Sequence, residues 1–193
     1  AMGRLPDCAR DPFYSASLTA LRKKDGGLRP IAVGSVYRRL ATKVTLKPLA
    51  QDLGQELRPV QLGYATPGGC ESAVHAARRF LEKLSHNEVL VKIDMRNAFN
   101  TVRRDRFLST VRHRIPPLYR LLWQAYSKPS SIYFGSARIE SATGLQQGDP
   151  CGPAVFSLAV DAAAKEVRSD FNAWYLDDAT IGGDIESVCQ DLK

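Results

Sequence analysis

The spacing of apolar residues divides the chain into helices separated by short strands and loops. Residues 36–57 and 70–84 have the length and apolar periodicity of helices, the second with a continuous apolar stripe. Arg58-Pro59 ends the first of them, because proline disfavours helical geometry at the residue before it. Three more helices are predicted, at residues 101–113, 117–127 and 153–168.

Runs of β-branched and aliphatic residues predict the strands. The run at residues 88–93 ends in Asp94, and Gly135-Ser136 separates residues 131–134 from residues 137–140 as in a two-residue hairpin. We expect this hairpin to extend the same sheet. The mixture of elements indicates an α+β fold, an antiparallel sheet with helices packed on one face.

The stretch Tyr175-Leu176-Asp177-Asp178 is the chemically most informative part of the sequence. An apolar pair precedes two adjacent carboxylates and residues 179–183 follow, which predicts two strands folded back on each other with the acids at the turn. Neighbouring carboxylates repel and raise one another's pKa, unless a cation or several donors hold them ionised. If this hairpin lies beside the strand that ends at Asp94, Asp94 and Asp177 stand side by side, offering the oxygen ligands that magnesium prefers. Taken alone, each acid more often belongs to a solvated turn or a helix cap.

A loop rich in glycine and proline lies between the two acidic segments. Residues 144–153 contain Gln147 and Gly148 and lead into the predicted helix at 153–168. A loop that opens a helix presents free backbone N–H groups and small residues, which suits the close approach of a nucleotide. The alternative is an ordinary turn before a core helix.

Together these segments resemble a reverse transcriptase, specifically the fingers and palm of a non-LTR retrotransposon polymerase. Residues 94–99 are similar to the first catalytic motif of that family, residues 147–153 to the second and residues 175–178 to the third. Upstream, residues 21–31 resemble its basic fingers segment. The order and spacing of these motifs agree over almost the whole chain.

The resemblance implies nucleotidyl transfer from a dNTP to the 3′-hydroxyl of a DNA primer on an RNA template. Two Mg²⁺ ions, with Mn²⁺ as an alternative ion, would be held by Asp94, Asp177 and the backbone carbonyl of Met95, supported by Asp178. Phe99 falls where the family places the bulky side chain that excludes a ribose 2′-hydroxyl, which argues against an RNA-copying RNA polymerase. The other residues implied at the nucleotide are Lys23, Lys24, Arg29, Asn97, Ala98, Gln147 and Gly148.

The resemblance also implies a domain organisation. We expect a poorly fixed lead-in at residues 1–12, fingers at about 13–85 and in part of 105–140, and a palm at about 86–104 and 141–193. The chain ends where the family's next helix would begin, so we expect no thumb and a longer parent polyprotein. Two hypotheses stay open: a polymerase core that acts within a longer element, and a truncated, inactive remnant that at most binds nucleic acid.

The charge of the chain agrees with a nucleic-acid partner. Lys and Arg number 27 against 20 Asp and Glu, a formal net charge of +7, and a basic surface attracts phosphates. Part of the excess falls on Arg38, Arg39 and Lys43, for which a template contact and an ordinary solvated helix face are both open. The four cysteines are too widely spaced for a zinc site. No apolar run has membrane-spanning length, so we expect a soluble intracellular protein of the cytoplasm or nucleus, without membrane contact.

Overall fold

The computed structural model describes residues 5–22, 24 and 26–193. Lys23 lies outside the described residues, so its predicted nucleotide contact has no structural counterpart here. The strands are β1 (Ala16–Arg22), β2 (Leu28–Gly34), β3 (Glu88–Asp94), β4 (Ser130–Phe134), β5 (Ala137–Ser141), β6 (Phe171–Tyr175) and β7 (Asp178–Asp184). The helices are α1 (Asp7–Tyr14), α2 (Val36–Leu46), α3 (Ala50–Leu57), α4 (Gly69–Leu81), α5 (Ala98–Thr101), α6 (Arg104–Arg114), α7 (Pro116–Tyr126), α8 (Gly152–Glu166) and α9 (Ile185–Asp191).

The chain divides into two units. The first comprises residues 1–49 and 97–156, and the second comprises residues 50–96 and 157–193. The predicted α+β fold is confirmed, since each unit combines a sheet with packed helices. Within the described residues, no helix is both long enough and apolar enough to span a bilayer.

The first unit contains a four-stranded sheet in the order β2-β1-β4-β5. Neighbouring strands pair antiparallel except β1 and β4, which run parallel. The predicted hairpin forms as β4 and β5, but the expectation that it extends the acidic sheet is wrong, because β4 pairs with β1 through Ala16 and Ile132. Phe107 of α6 and Tyr126 of α7 are buried and meet edge to face, with 5.4 Å between ring centroids.

The second unit contains a three-stranded antiparallel sheet in the order β3-β7-β6. Because side chains alternate along a strand, one face carries Ile93, Trp174 and Ala179 into a core shared with Val160 and Ala164 of α8. The prediction that helices pack on this antiparallel sheet is thereby confirmed for α8.

Helices cover both faces of this sheet rather than one. On the face opposite α8, Phe80 of α4 contacts Phe171 of β6 at 5.3 Å between ring centroids. A Cβ on Gly182 would lie 2.8 Å from the Phe80 ring, so glycine gives α4 the room to pack there. Residues 171 and 182 pair at the end of the β6–β7 ladder remote from its turn, and α4 therefore covers that end.

Two predictions near the start of the chain are wrong. Residues 36–57 are two helices separated by a 3₁₀ turn at Lys47–Leu49, because Pro48 has no N–H to continue the helical hydrogen bonds. Residues 7–12 are not a loose lead-in but part of α1. Arg10 ties this helix to α7 by donating to the carbonyl of Gln124 at 2.9 Å.

Candidate active site

The end of the sheet in the second unit sets two of the predicted acids face to face. Pairing of β3 with β7 places Asp94 opposite Asp178, and pairing of β6 with β7 places Tyr175 opposite Asp178. Directly opposed residues of an antiparallel pair have Cβ atoms about 4.5–5.5 Å apart on the same face. Asp94 and Asp178 are both exposed. Their carboxylates therefore share an open face at the edge of the sheet.

Asp177 lies one position away, in the turn. Leu176 and Asp177 form the two-residue connection between β6 and β7, and Asp177 is half-buried. The register thus differs from the expectation that Asp94 and Asp177 stand side by side: Asp178 is the ladder partner of Asp94, and Asp177 is at the tip of the hairpin.

The turn itself has an unusual backbone conformation. Leu176 has φ of 57°, in the left-handed region that residues with a side chain seldom adopt. Its N–H donates to Oε1 of Gln61 at 2.8 Å, and Nε2 of Gln61 donates to its carbonyl at 3.2 Å. Sequence reasoning missed Gln61, because its partner lies 115 residues away and no local pattern connects the two.

A lysine shares the acidic face. The Nζ atom of Lys92 lies 3.3 Å from Oδ1 of Asp178, and both side chains are largely exposed. Lys92 precedes Asp94 by two positions on β3, so both side chains point to the same face of the sheet. This period-two spacing is visible in the sequence and could have identified Lys92 as a member of the site.

The end of the sheet that carries Asp94, Asp177 and Asp178, here called the acidic edge, offers oxygen ligands. Met95 packs its side chain against the core cluster of Trp174 and Ala164, so its backbone carbonyl alone would serve as a ligand. In the described part of the chain, no three His, Cys, Asp or Glu side chains already form a metal-binding cluster. Carboxylate and carbonyl oxygens are nevertheless the donors that Mg²⁺ and Mn²⁺ take. The donor set therefore fits the predicted ions, with the carboxylates held on neighbouring segments of backbone.

In the first unit, the predicted nucleotide loop runs along β2. The carbonyl of Gln147 accepts a hydrogen bond from the N–H of Ala32 at 2.7 Å. Gly148 has φ of 118°, and a Cβ there would lie 2.7 Å from the carbonyl oxygen of Ala32, so only glycine fits. Gln147 is half-buried and lines a pocket of about 180 Å³ together with Pro30 and Leu145.

Phe99 is held rigidly in the first unit. Its ring stacks on that of Phe156, with 4.5 Å between centroids and 16° between planes. Its carbonyl accepts a hydrogen bond from Leu145 at 2.7 Å. Of the two residues before it, Ala98 is buried, and Asn97 is exposed with φ of 57° at the start of α5.

Arg38 is not a surface residue, and its predicted contact with nucleic acid is wrong. It is 2% exposed. Its guanidinium forms an ion pair with Asp149 and donates to Oε1 of Gln146 at 2.7 Å and to the carbonyl of Tyr14 at 3.1 Å. The Tyr126 hydroxyl also donates to Asp149, at 2.7 Å. Arg38 therefore stabilises the loop that carries Gln147 from inside the first unit.

The surroundings of this buried pair fix its charge state. Burial alone would raise the pKa of Asp149, but Arg38 and the Tyr126 hydroxyl outweigh it and hold that pKa below its ordinary value. Burial, together with the nearby Asp149, raises the pKa of the Cys151 thiol and that of the Tyr126 hydroxyl well above their ordinary values. At neutral pH the pair is therefore charged, and both the thiol and the phenol are protonated.

The remaining basic candidates lie at or near the surface of the first unit. Arg29 is exposed on β2, and Lys24 is exposed in the β1–β2 connection. On α2, Lys43 is exposed and Arg39 is half-buried. These four side chains stay available as predicted contacts to phosphates.

Two curated proteins resemble the chain over most of its length. It is 28% identical over 192 residues to the retrotransposable element SLACS 132 kDa protein of Trypanosoma brucei gambiense, covering 92% of this chain and 16% of that protein. It is 26% identical over 183 residues to the retrovirus-related Pol polyprotein from type-2 retrotransposable element R2DM of Drosophila melanogaster, covering 89% of this chain and 17% of that protein. The chain thus spans about a sixth of the length of these relatives.

Solved telomerase structures share the fold. The telomerase of Candida tropicalis, in complex with a fragment of telomeric RNA, superposes with a TM-score of 0.63 at 11% identity, covering 93% of this chain and 37% of that chain. The corresponding complex of Candida albicans gives 0.62 at 10% identity, covering 97% of this chain and 39% of that one.

The family itself follows from the sequence. The sequence model of the family described as "Reverse transcriptase (RNA-dependent DNA polymerase)" matches residues 21–192. This range includes all three motifs that carry the acids and the nucleotide loop, and the two curated relatives belong to non-LTR retrotransposons. The chain therefore belongs to the reverse transcriptase family of RNA-dependent DNA polymerases.

Proposed function

We propose that the chain is the catalytic core of an RNA-directed DNA polymerase that extends the 3′-hydroxyl of a DNA primer with dNTPs on an RNA template, within a longer retrotransposon polyprotein. One observation carries the proposal. Asp94 faces Asp178 beside the Asp177 turn, on an open sheet edge, in a chain of the reverse transcriptase family. The fingers and palm ranges predicted from the sequence form part of the same proposal.

The acidic edge has a defined part in this reaction. Asp94, Asp177 and Asp178, with the carbonyl of Met95, would hold two Mg²⁺ ions or Mn²⁺ in their place. Ions held by these residues would supply a lower pKa for the primer hydroxyl and a positive charge opposite the pyrophosphate leaving group. The side chains act as ligands, and none of them becomes the nucleophile. The two strands keep the carboxylates together despite their mutual repulsion.

The first unit contributes the proposed nucleotide contacts. Phe99, immobilised on Phe156, presents a bulky ring against a ribose 2′-hydroxyl. Gln147 and Gly148 offer backbone and amide groups to the nucleotide. Arg29 and Lys24 have the charge to bind its triphosphate, the first as a planar fork and the second as a point charge.

The RNA template is proposed from charge. A formal net charge of +7 favours a polyanionic partner. Arg39 and Lys43 are the proposed template contacts on α2. Each phosphate that a basic side chain neutralises makes binding weaker as the salt concentration rises.

Primer extension in Mg²⁺ tests the proposal. The wild-type chain should extend a DNA primer on an RNA template, and Asp177→Ala should abolish the product. Asp52→Ala, which removes an exposed acid from α3 of the same unit, is the matched control and should keep full activity. Equal product from wild type and Asp177→Ala would show that no catalysis belongs to this site. Primer–template binding without any wild-type extension would favour the inactive remnant.

A further inference from the structure

The buried side-chain amide of Gln61 forms hydrogen bonds with the backbone of the acidic turn, the turn at Leu176-Asp177. The residue has no exposed surface. Its Oε1 accepts hydrogen bonds from the N–H of Leu176 at 2.8 Å and from the N–H of Gly63 at 3.0 Å. Its Nε2 donates to the carbonyl of Leu176 at 3.2 Å. Only this orientation of the amide makes all three bonds, since the reverse would set the NH₂ group against two N–H donors.

The main chain around Gln61 brings the amide to the turn. The two residues that flank Gln61 both bond to the backbone of Trp174 in β6: the Trp174 N–H donates to the carbonyl of Val60 at 2.8 Å, and the Leu62 N–H donates to the carbonyl of Trp174 at 2.7 Å. These two bonds form a single parallel β-bridge between Gln61 and Trp174. Beyond this bridge, the side chain of Gln61 bonds to the backbone of Leu176, two residues after Trp174.

Gly63 permits the close approach of segment 60–63 to Leu176. A Cβ at this position would lie 2.5 Å from the backbone nitrogen of Leu176 and 2.8 Å from its Cγ. Any side chain there would push the turn away from Gln61. Gln61 thus holds the Leu176 peptide by hydrogen bonds. Gly63 leaves room for the same peptide because it has no side chain.

The Leu176 peptide needs this support. Its left-handed φ of 57° is disfavoured for a leucine, and such conformations persist when the surroundings over-determine them. Asp177 and Asp178 follow directly, so a change of turn conformation at Leu176 redirects both carboxylates.

We propose that Gln61 is a positioning residue for the acidic turn: its side-chain amide fixes the Leu176 peptide and thereby the directions of Asp177 and Asp178. The structural part of this inference stands on the hydrogen bonds alone. Its consequence for catalysis rests on the proposed polymerase function.

Hydrogen exchange of the Leu176 amide, followed by NMR on the intact chain, tests the structural part. Gln61→Leu keeps the size of the side chain and removes all three bonds, so exchange at Leu176 should accelerate at least about tenfold. Gln61→Glu retains an acceptor for the Leu176 N–H and should stay within about threefold of wild type. Thermal unfolding confirms that each variant is folded.

Asn172→Leu is the matched control. Asn172 lies on β6, the strand that leads into the turn, but it does not contact the turn. Its side-chain amide donates to the Ala164 carbonyl at 2.6 Å and accepts from the Trp174 indole N–H at 2.8 Å, so its bonds are comparable to those of Gln61. Exchange at Leu176 should be unchanged in this variant. Unchanged exchange in Gln61→Leu, or equal acceleration in Asn172→Leu, would overturn the inference. If Gln61→Leu does not fold, Gly63→Ala decides in its place and should accelerate the same amide.

Primer extension tests the catalytic part. Gln61→Leu should lower kcat at least about tenfold while the KM for dNTP changes less than about twofold, because the acids are misdirected and the nucleotide contacts are intact. Gln61→Glu should recover part of kcat. A wild-type chain without activity would count against the proposed function and leave the exchange result to decide the role of Gln61.

Discussion

Asp94 faces Asp178 across the antiparallel ladder of β3 and β7, and this pairing brings together two motifs that are 84 positions apart in the sequence. The positive charge of Lys92, 3.3 Å from Asp178, lies at the same edge. A cation that binds there must share or displace this lysine contact. We therefore expect Lys92, beside the proposed carboxylate ligands, to affect how strongly a divalent ion binds there.

Replacing Lys92 with Gln should tighten divalent binding. The ion pair is exposed, so its strength is modest, and we expect the Kd for Mn²⁺ to fall about two- to fivefold at low ionic strength. Electron paramagnetic resonance of free Mn²⁺ measures this. Lys83→Gln, an exposed lysine of the same unit, should leave the Kd unchanged. Weaker binding in Lys92→Gln would mean that the lysine does not compete with the ion.

Phe99→Ala should relax sugar selectivity. Removing the ring opens space for a 2′-hydroxyl, and we expect the ratio of kcat/KM for dNTP over that for rNTP to fall at least about tenfold. Phe99→Tyr keeps the ring and should keep the selectivity. Single-nucleotide incorporation measures both ratios. Unchanged selectivity in Phe99→Ala would remove this side chain from the sugar site.

Arg29→Ala should weaken nucleotide binding. Loss of a charge-assisted bond to the triphosphate should raise the KM for dNTP about tenfold or more. Arg22→Ala is the matched control, because Arg22 is exposed in the same hairpin, opposite Leu28, and should leave KM unchanged. An unaltered KM in Arg29→Ala would exclude Arg29 from the triphosphate site.

Breaking the buried Arg38–Asp149 pair should destabilise the fold. Asp149→Asn leaves a buried guanidinium without its counter-charge, at a cost of about 3–5 kcal/mol in the free energy of unfolding. Urea unfolding measures this. The double variant Arg38→Met/Asp149→Leu should lose less than the sum of its single variants, because no buried charge remains unpaired. Additive losses would show that the pair is not coupled.

The same pair sets a pH dependence. The pKa of Asp149 is lower in the folded protein than in the unfolded chain. Between these two pKa values the unfolded chain therefore binds more protons than the folded protein. The stabilisation from the carboxylate is complete above the ordinary Asp pKa and is lost as pH falls through the lowered folded value. The stability difference between wild type and Asp149→Asn should therefore shrink on acidification. A difference that grows towards low pH would contradict this assignment.

Strands β3, β4 and β5 and the acidic hairpin of β6 and β7 were predictable, because they depend on local patterns, whereas β1 and β2 were not predicted. The β-branched and aliphatic run of β3 and the two-residue turn at Leu176-Asp177 follow from residue types alone. Arg38 was misjudged because α2 buries Arg38 and Thr42 while leaving Val36 and Leu40 exposed. This is the reverse of the usual amphipathic order, and the reason for it lies in Asp149, 111 residues away. Non-local partners of this kind leave no periodicity to detect.

Mn²⁺ binding to Asp94→Asn tests the central claim most directly. If Asp94 and its ladder partner Asp178 bind the divalent ion, Asp94→Asn and Asp178→Asn should each raise the Kd at least about tenfold. Asp52→Asn in the same unit should have no effect. A Kd for Asp94→Asn equal to that of the wild-type chain would contradict the proposal that Asp94 and Asp178 bind the divalent ion.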